Sequence, residues 1–170
     1  SFACKDSRIR VLHNPGLGLV DALNYGISSS RFELIARMDA DDLMTPKRLE
    51  LQAAFLKKHP SCGLVASKVH HFPSSSGNAR RGFELYAEWT NELVSWDDLW
   101  LNRFVDCTFA HPSVLFRRRI VSGCGAYRNG SFPEDFELWL RWMQAGVKMA
   151  KIDKHLLYWR DHQGRTSRNR

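Results

Sequence analysis

An α/β fold is what this 170-residue sequence predicts, and three observations predict it. Short apolar segments of strand character alternate with segments of helical spacing. Helix-start and helix-stop signals fall between them. No repeat and no linker interrupts the series, so 1–170 reads as a single domain of ordinary size.

Residues 8–13 alternate polar and apolar with period two, as a short strand does. Asn14-Pro15-Gly16 breaks that run. Leu19, Ala22, Leu23 and Ile27 then keep helical spacing until the serines at 28–30. Residues 32–38 predict a strand that runs directly into Asp39. Thr45-Pro46 predicts a helix start: a hydroxyl cap, then a residue whose missing N–H costs nothing there. Leu49, Ala53 and Leu56 form the stripe of that helix, and His59-Pro60 ends it. Residues 63–69 read as a buried strand, 73–77 as a loop, and 83–104 as a Trp-rich amphipathic region, helical in two pieces. Ser113–Phe116 is strand-like. A second clear helix opens at Pro133-Glu134-Asp135 with Phe136, Trp139, Leu140 and Met143 inward; Gly146 closes it, and 147–159 return as one or two strands.

Apolar residues at 44% and charged residues at 25% exclude a disordered or fibrous chain. A net charge of +7 favours anionic partners: nucleic acid, a membrane surface or a phosphorylated small molecule. No nucleic-acid motif or aromatic-basic interleaving is present, which argues against the first. Cys4, Cys62, Cys107 and Cys124 are scattered without a C-x-x-C pair, so reduced thiols in a cytosol-facing protein are expected. No apolar run approaches the ~20 residues of a membrane span. Arg117-Arg118-Arg119 reads as a solvated basic corner.

Asp39-Ala40-Asp41-Asp42 carries the chemistry. Three carboxylates at a strand end repel one another unless a cation sits among them, and a hard divalent ion takes oxygen ligands. The carboxyl end of a strand in an α/β sheet is also where ligands bind. An acidic turn leading into the next helix is the plainer alternative. An EF-hand does not fit, because Met44 stands where its sixth position needs Gly. A phosphatase of the Asp-x-Asp-x-Thr/Val type does not fit either, because Leu43 stands at the last position.

Asn14-Pro15-Gly16-Leu17-Gly18, Ala22-Leu23-Asn24-x-Gly26-Ile27, Ile35-Ala36-Arg37-Met38-Asp39-Ala40-Asp41-Asp42 and Pro46-Lys47-Arg48-Leu49 together resemble family 2 glycosyltransferases of the GT-A fold. His111-Pro112-Ser113-Val114-Leu115-Phe116-Arg117, Gly125-Ala126-Tyr127, 133–141 and Tyr158-Trp159-Arg160-Asp161-His162 follow in that family's order. The resemblance is nearest to members that use UDP-sugars, including N-acetylglucosaminyltransferase-like ones. It implies a Rossmann-like, mixed and mostly parallel sheet flanked by helices. The family's opening strands, with their nucleotide-base loop, have no counterpart before Asn14, so the resemblance implies an N-terminally truncated domain, the last two-thirds of the fold.

What the resemblance implies for function is an inverting, metal-dependent sugar transfer from a nucleotide-sugar to an acceptor hydroxyl. Asp39, Asp41, Asn24 and Arg160 would bind the donor, and Asp42 would support the loop or bind the donor sugar. Asp41, Asp39 and His162 would hold Mn²⁺ or Mg²⁺. Asp135 would be the general base with Glu134 shaping the catalytic site beside it, and His111 would line the acceptor side. The acceptor, saccharide, lipid-linked or protein, is open. A cytosolic protein, with a membrane surface as a peripheral docking place, is the expected setting. The alternative is an inactive relative serving as an interaction or regulatory module.

Overall fold

The computed structural model describes residues 2–14, 16, 18–73 and 81–161. His162, one of the expected metal ligands, and most of the 73–77 loop lie outside them. The described strands are β1 (Leu34–Ala36), β2 (Leu43–Met44), β3 (Cys62–Pro73), β4 (Leu115–Arg117) and β5 (Lys148–Asp161). The described helices are α1 (Leu19–Ser29), α2 (Arg48–Lys58), α3 (Arg81–Glu92), α4 (Trp96–Asn102), α5 (Arg118–Cys124) and α6 (Glu134–Gln144).

The strands form one mixed sheet in the order β1-β4-β3-β5-β2. The expectation of a mostly parallel sheet does not hold: only β3–β5 pair in parallel, while β1–β4, β4–β3 and β2–β5 are antiparallel. The reason is interleaving. β1, β3 and β5 point the same way, and the short β4 and β2 run against them. The carboxyl ends of β1 and β5 therefore open on the same side of the sheet, where an α/β fold gathers its ligand site.

Residues 8–13 form no strand. Arg8 is still in a turn that the Ile9 N–H closes on Asp6 O, and Ile9, Val11 and Leu12 are exposed, because no described strand is beside them to satisfy a ladder. β1 is shorter than the 32–38 run, although Arg37 still donates its N–H to Val114 O at 3.1 Å. The Thr45 cap is also displaced. α2 begins at Arg48, and Thr45 spends its own N–H on Leu156 O of β5.

α2 turns a different face inward than its leucines suggest. Leu49 is 41% exposed, whereas Arg48 and Gln52 are fully buried with Leu56. Its buried stripe is polar at two of three positions, and a hydrophobic pattern cannot register that. The arginine triplet is only in part a solvated corner: Arg119 is exposed, while Arg117 and Arg118 are half-buried. Arg117 donates to Leu56 O (2.6 Å) and Cys62 O (3.0 Å), Arg118 to Ser30 O and Ser28 O, and Arg119 to Pro60 O. Apart from Cys62 O, at the start of β3, these carbonyls lie at or just beyond a helix C-terminus, where orphan acceptors and the helix dipole favour a cation.

The core lies between the sheet and α6. Leu64, Ala66, Phe116 and Met149 from the strands meet Leu138, Trp139, Trp142 and Met143 from the helix. α6 opens, as the sequence predicts, at Pro133-Glu134, and Gly146 turns the chain with φ +84°.

Candidate active site

After β1 the chain leaves the sheet in a turn closed by Asp42 N–H on Asp39 O at 3.4 Å. The three carboxylates of that turn part company. Asp39 meets its own near neighbour, with Arg37 Nη2 at 2.6 Å from Oδ1. Asp41 is exposed. Asp42 is 5% exposed and accepts the backbone N–H of Arg160 at 2.9 Å. Arg160 completes the clasp by donating Nε to Asp41 O at 2.7 Å, with its guanidinium 4.7 Å above the Phe72 ring. The sequence groups Asp42 with the donor-facing carboxylates; the fold turns it inward, onto the end of β5.

Arg48 supports this turn from below. Its Nη2 donates to Arg37 O (2.9 Å) and Val114 O (3.4 Å), and its Nε donates to Gln52 Oε1 (3.1 Å). Gln52 Nε2 donates in turn to Val65 O and Ser113 O at 3.0 and 2.8 Å. Burial lowers the Arg48 pKa to about 10, the Asp42 charge opposing that shift, so the side chain stays cationic at neutral pH.

No group of three His, Cys, Asp or Glu side chains converges as a metal cage among the described residues. Asp39 and Asp41 offer hard oxygen donors at the mouth of the turn. That set suits a Mg²⁺- or Mn²⁺-like ion, which takes one or two carboxylates and completes its shell with water and substrate phosphate.

The second half of the site is built on α6. Asp135 accepts the Phe136 N–H at 2.9 Å through Oδ1. Its Oδ2 faces His111 Nδ1 at 3.8 Å and the Cys107 thiol, which donates at 3.9 Å. Burial raises the Asp135 pKa, and the Glu134 carboxylate adds to the rise; the Phe136 N–H and the Arg37 charge oppose it. Glu134 is buried at the first position of the helix.

His111 is buried, and burial together with the Arg37 charge holds its pKa well below the usual imidazole value, so it is neutral. Its Nε2 stands 2.7 Å from the Tyr127 hydroxyl. Tyr127 is fastened through its backbone: Asn24 Nδ2 donates to Tyr127 O, and Tyr127 N–H donates to Asn24 Oδ1, both at 3.0 Å. Asn24, expected on the donor, thus spends both ends of its amide tying α1 to the Tyr127 segment.

Arg37 links the two halves. It pairs with Asp39, and its charge is felt at His111, Tyr127 and Asp135. A cavity of about 370 Å³ is walled by Arg37, Asp39 and Tyr127 together with Leu23, Ile27 and Phe116; Asp41, Asp42 and Asp135 lie outside its wall. Sequence reading passes over Arg37, Tyr127, Arg48 and Cys107 as site residues. The first three stand inside the matched motif segments, which is the one signal that marks them. Cys107 carries none.

The chain matches the model of glycosyl transferase family 2 over residues 1–124. It is 30% identical over 141 residues to the amylovoran biosynthesis glycosyltransferase AmsE of Erwinia amylovora, covering 83% of this chain and 50% of that protein. It is 29% identical over 164 residues to an uncharacterized glycosyltransferase of Haemophilus influenzae, covering 95% of this chain and 57% of the relative. The chain thus spans about half the length of these curated relatives. Among solved structures, it is similar to glucosyl-3-phosphoglycerate synthase from Mycobacterium tuberculosis in complex with Mn²⁺, uridine-diphosphate-glucose and phosphoglyceric acid. The TM-score is 0.54 at 15% identity, over 86% of this chain and 49% of that one. That likeness gives the fold, the GT-A fold of these transferases. With the family model matching well over half of its residues, the chain belongs to glycosyl transferase family 2.

Proposed function

We propose that this chain carries the catalytic portion of an inverting glycosyltransferase that moves a sugar from a nucleotide-sugar, a UDP-sugar in the first instance, to an acceptor hydroxyl. The observation that carries the reading is Asp135: a carboxylate of raised basicity at a helix N-terminus, coupled through Arg37 to an acidic turn at the carboxyl end of β1. The relative from M. tuberculosis, held with Mn²⁺ and a uridine-diphosphate sugar, supports the donor and metal classes. Residues 1–170 act in this reading as one transferase domain. An N-acetylhexosaminyl or a hexosyl group would serve equally in the chemistry.

Asp39 and Asp41 would hold the donor diphosphate through Mn²⁺ or Mg²⁺, and His162 would be a further ligand. When bound, the metal neutralises charge developing on the departing nucleoside diphosphate. Arg160, clasped to Asp41, meets the same diphosphate, and Asp42 holds the turn in place. Asp135 takes the proton of the acceptor hydroxyl while that oxygen attacks the anomeric carbon from the face opposite the diphosphate. The anomeric bond to the diphosphate breaks in the same displacement, so configuration inverts. Glu134 keeps Asp135 basic, and His111 borders the acceptor.

No described helix is long and apolar enough to cross a membrane. The reading places the protein in the cytosol, with its net charge of +7 suited to an anionic membrane surface. The test is calorimetric. Titration with UDP should show Mn²⁺-dependent binding that Asp41→Ala abolishes and Asp135→Asn preserves. A wild-type protein without donor affinity would favour the inactive-module alternative.

A further inference from the structure

Two side chains stand behind the candidate base that the transfer chemistry does not itself require. We propose that Tyr127 and His111 are positioning residues for Asp135: the Tyr127 hydroxyl, donating to His111 Nε2, holds the imidazole as its Nδ1–H tautomer, whose proton faces the Asp135 carboxylate. The inference rests on the reading of Asp135 as the base.

A neutral imidazole has one N–H and one lone pair, and its surroundings select which nitrogen carries the proton. At Nε2 the neighbour is the Tyr127 hydroxyl, 2.7 Å away. Burial raises the Tyr127 pKa above the usual phenol value, so the hydroxyl keeps a proton to give. At Nδ1 the neighbour is Asp135 Oδ2. The alternative Nε2–H tautomer would aim a lone pair at an ionised carboxylate inside a buried site, where that repulsion is weakly screened. The carboxylate therefore selects Nδ1–H, and the Tyr127 hydroxyl, able to give or to accept, donates to the bare Nε2 that results.

The ring has little freedom to escape this arrangement. His111 meets Trp139 edge-on with centroids 5.8 Å apart, and Tyr127 meets the same indole at 6.4 Å. Tyr127 is fixed through its backbone by Asn24. The Nδ1–Oδ2 separation of 3.8 Å exceeds hydrogen-bond length. Such bonds are commonly long before the acceptor arrives and tighten in the reacting complex. Oδ1 is occupied by the Phe136 N–H, and Oδ2, which the Cys107 thiol also meets at 3.9 Å, keeps a lone pair for the acceptor proton. An N–H beside Oδ2 then fixes where that oxygen points.

The experiment uses the full chain with ¹⁵N-labelled histidine, the His111 signals being identified by their loss in His111→Asn. Long-range ¹H–¹⁵N correlation should find His111 protonated at Nδ1. Tyr127→Phe and Asp135→Asn should each raise the share of the Nε2–H tautomer. In sugar transfer, His111→Asn keeps an amide N–H near the Nδ1 position and should retain most of the rate. His111→Gln and Tyr127→Phe should lose on the order of 100-fold in kcat with donor KM little changed. A wild-type Nε2–H tautomer, or a Tyr127→Phe variant with unchanged tautomer and rate, overturns the proposal. Full transfer by Asp135→Asn would instead remove Asp135 as the base, while the tautomer spectrum still decides the hydrogen-bond assignment on its own.

Discussion

Asp42 accepts the backbone N–H of Arg160 at 2.9 Å across 118 residues of sequence, and Arg160 answers through the carbonyl of Asp41 at 2.7 Å. The acidic turn that reads as one ligand set is therefore divided by the fold. One carboxylate is a hook between the ends of β1 and β5, one is paired with Arg37, and one faces solvent.

Removing the hook should cost stability before it costs anything else. Asp42→Ala leaves the Arg160 N–H without its acceptor and takes a negative charge away from buried Arg48. An expected loss is about 1–3 kcal/mol. Urea unfolding measures it, and an unchanged midpoint would mean that the clasp is incidental.

Arg48 and Gln52 should behave as one unit. Arg48→Met deprives the Arg37 and Val114 carbonyls of their donor, and Gln52→Leu does the same to Val65 and Ser113. Arg48→Met should destabilise by about 3 kcal/mol. Because Arg48 Nε also donates to Gln52, the double variant should fall short of the summed single effects. Strict additivity in denaturant unfolding would show that the two side chains act independently.

Asp135 should make the protein less stable toward neutral pH. Its folded pKa is raised, so the folded state binds this proton more tightly than the unfolded state. Its contribution is most favourable in acid, where both states are protonated, and is lost as pH climbs through the folded pKa. Asp135→Asn should thus unfold at a higher temperature than wild type at pH 7, with the gap closing toward acid. Parallel melting curves across pH, with a constant gap, would contradict the shift.

Lys151 predicts the opposite trend in alkali. Its ammonium is buried, and burial lowers the pKa to about 7, although it donates to Thr90 O, Thr90 Oγ1 and Thr108 O. Between about 7 and the ordinary lysine value of 10.5, the unfolded state binds a proton that the folded state does not. Stability from this group therefore rises with pH over that window and is poorest below it. The wild type minus Lys151→Met difference in urea midpoint should rise from pH 7 to 10. A flat difference would show that the three acceptors outweigh burial and keep the lysine charged.

Several features are written in neighbouring residues: the helix opening at Pro133-Glu134-Asp135, the division of 83–104 into two helices, the strand ahead of Asp39, and the ordered motifs that mark the family. Periodicity, caps and short motifs are local, and local physics suffices for them. Tertiary structure alone decided which of Asp39, Asp41 and Asp42 turns inward, that Asn24 ties down Tyr127, that β4 and β2 run against β1, β3 and β5, and that α2 buries an arginine and a glutamine. Each of those outcomes depends on a partner far along the chain. Gln52 meets Ser113 at a separation of 61 residues and Asn24 meets Tyr127 at 103, and a polar side chain buries only where such a partner satisfies it. Hydrophobic pattern carries no record of that partner, so the residues that hold the candidate site together become visible only once the strands have brought them within hydrogen-bond reach.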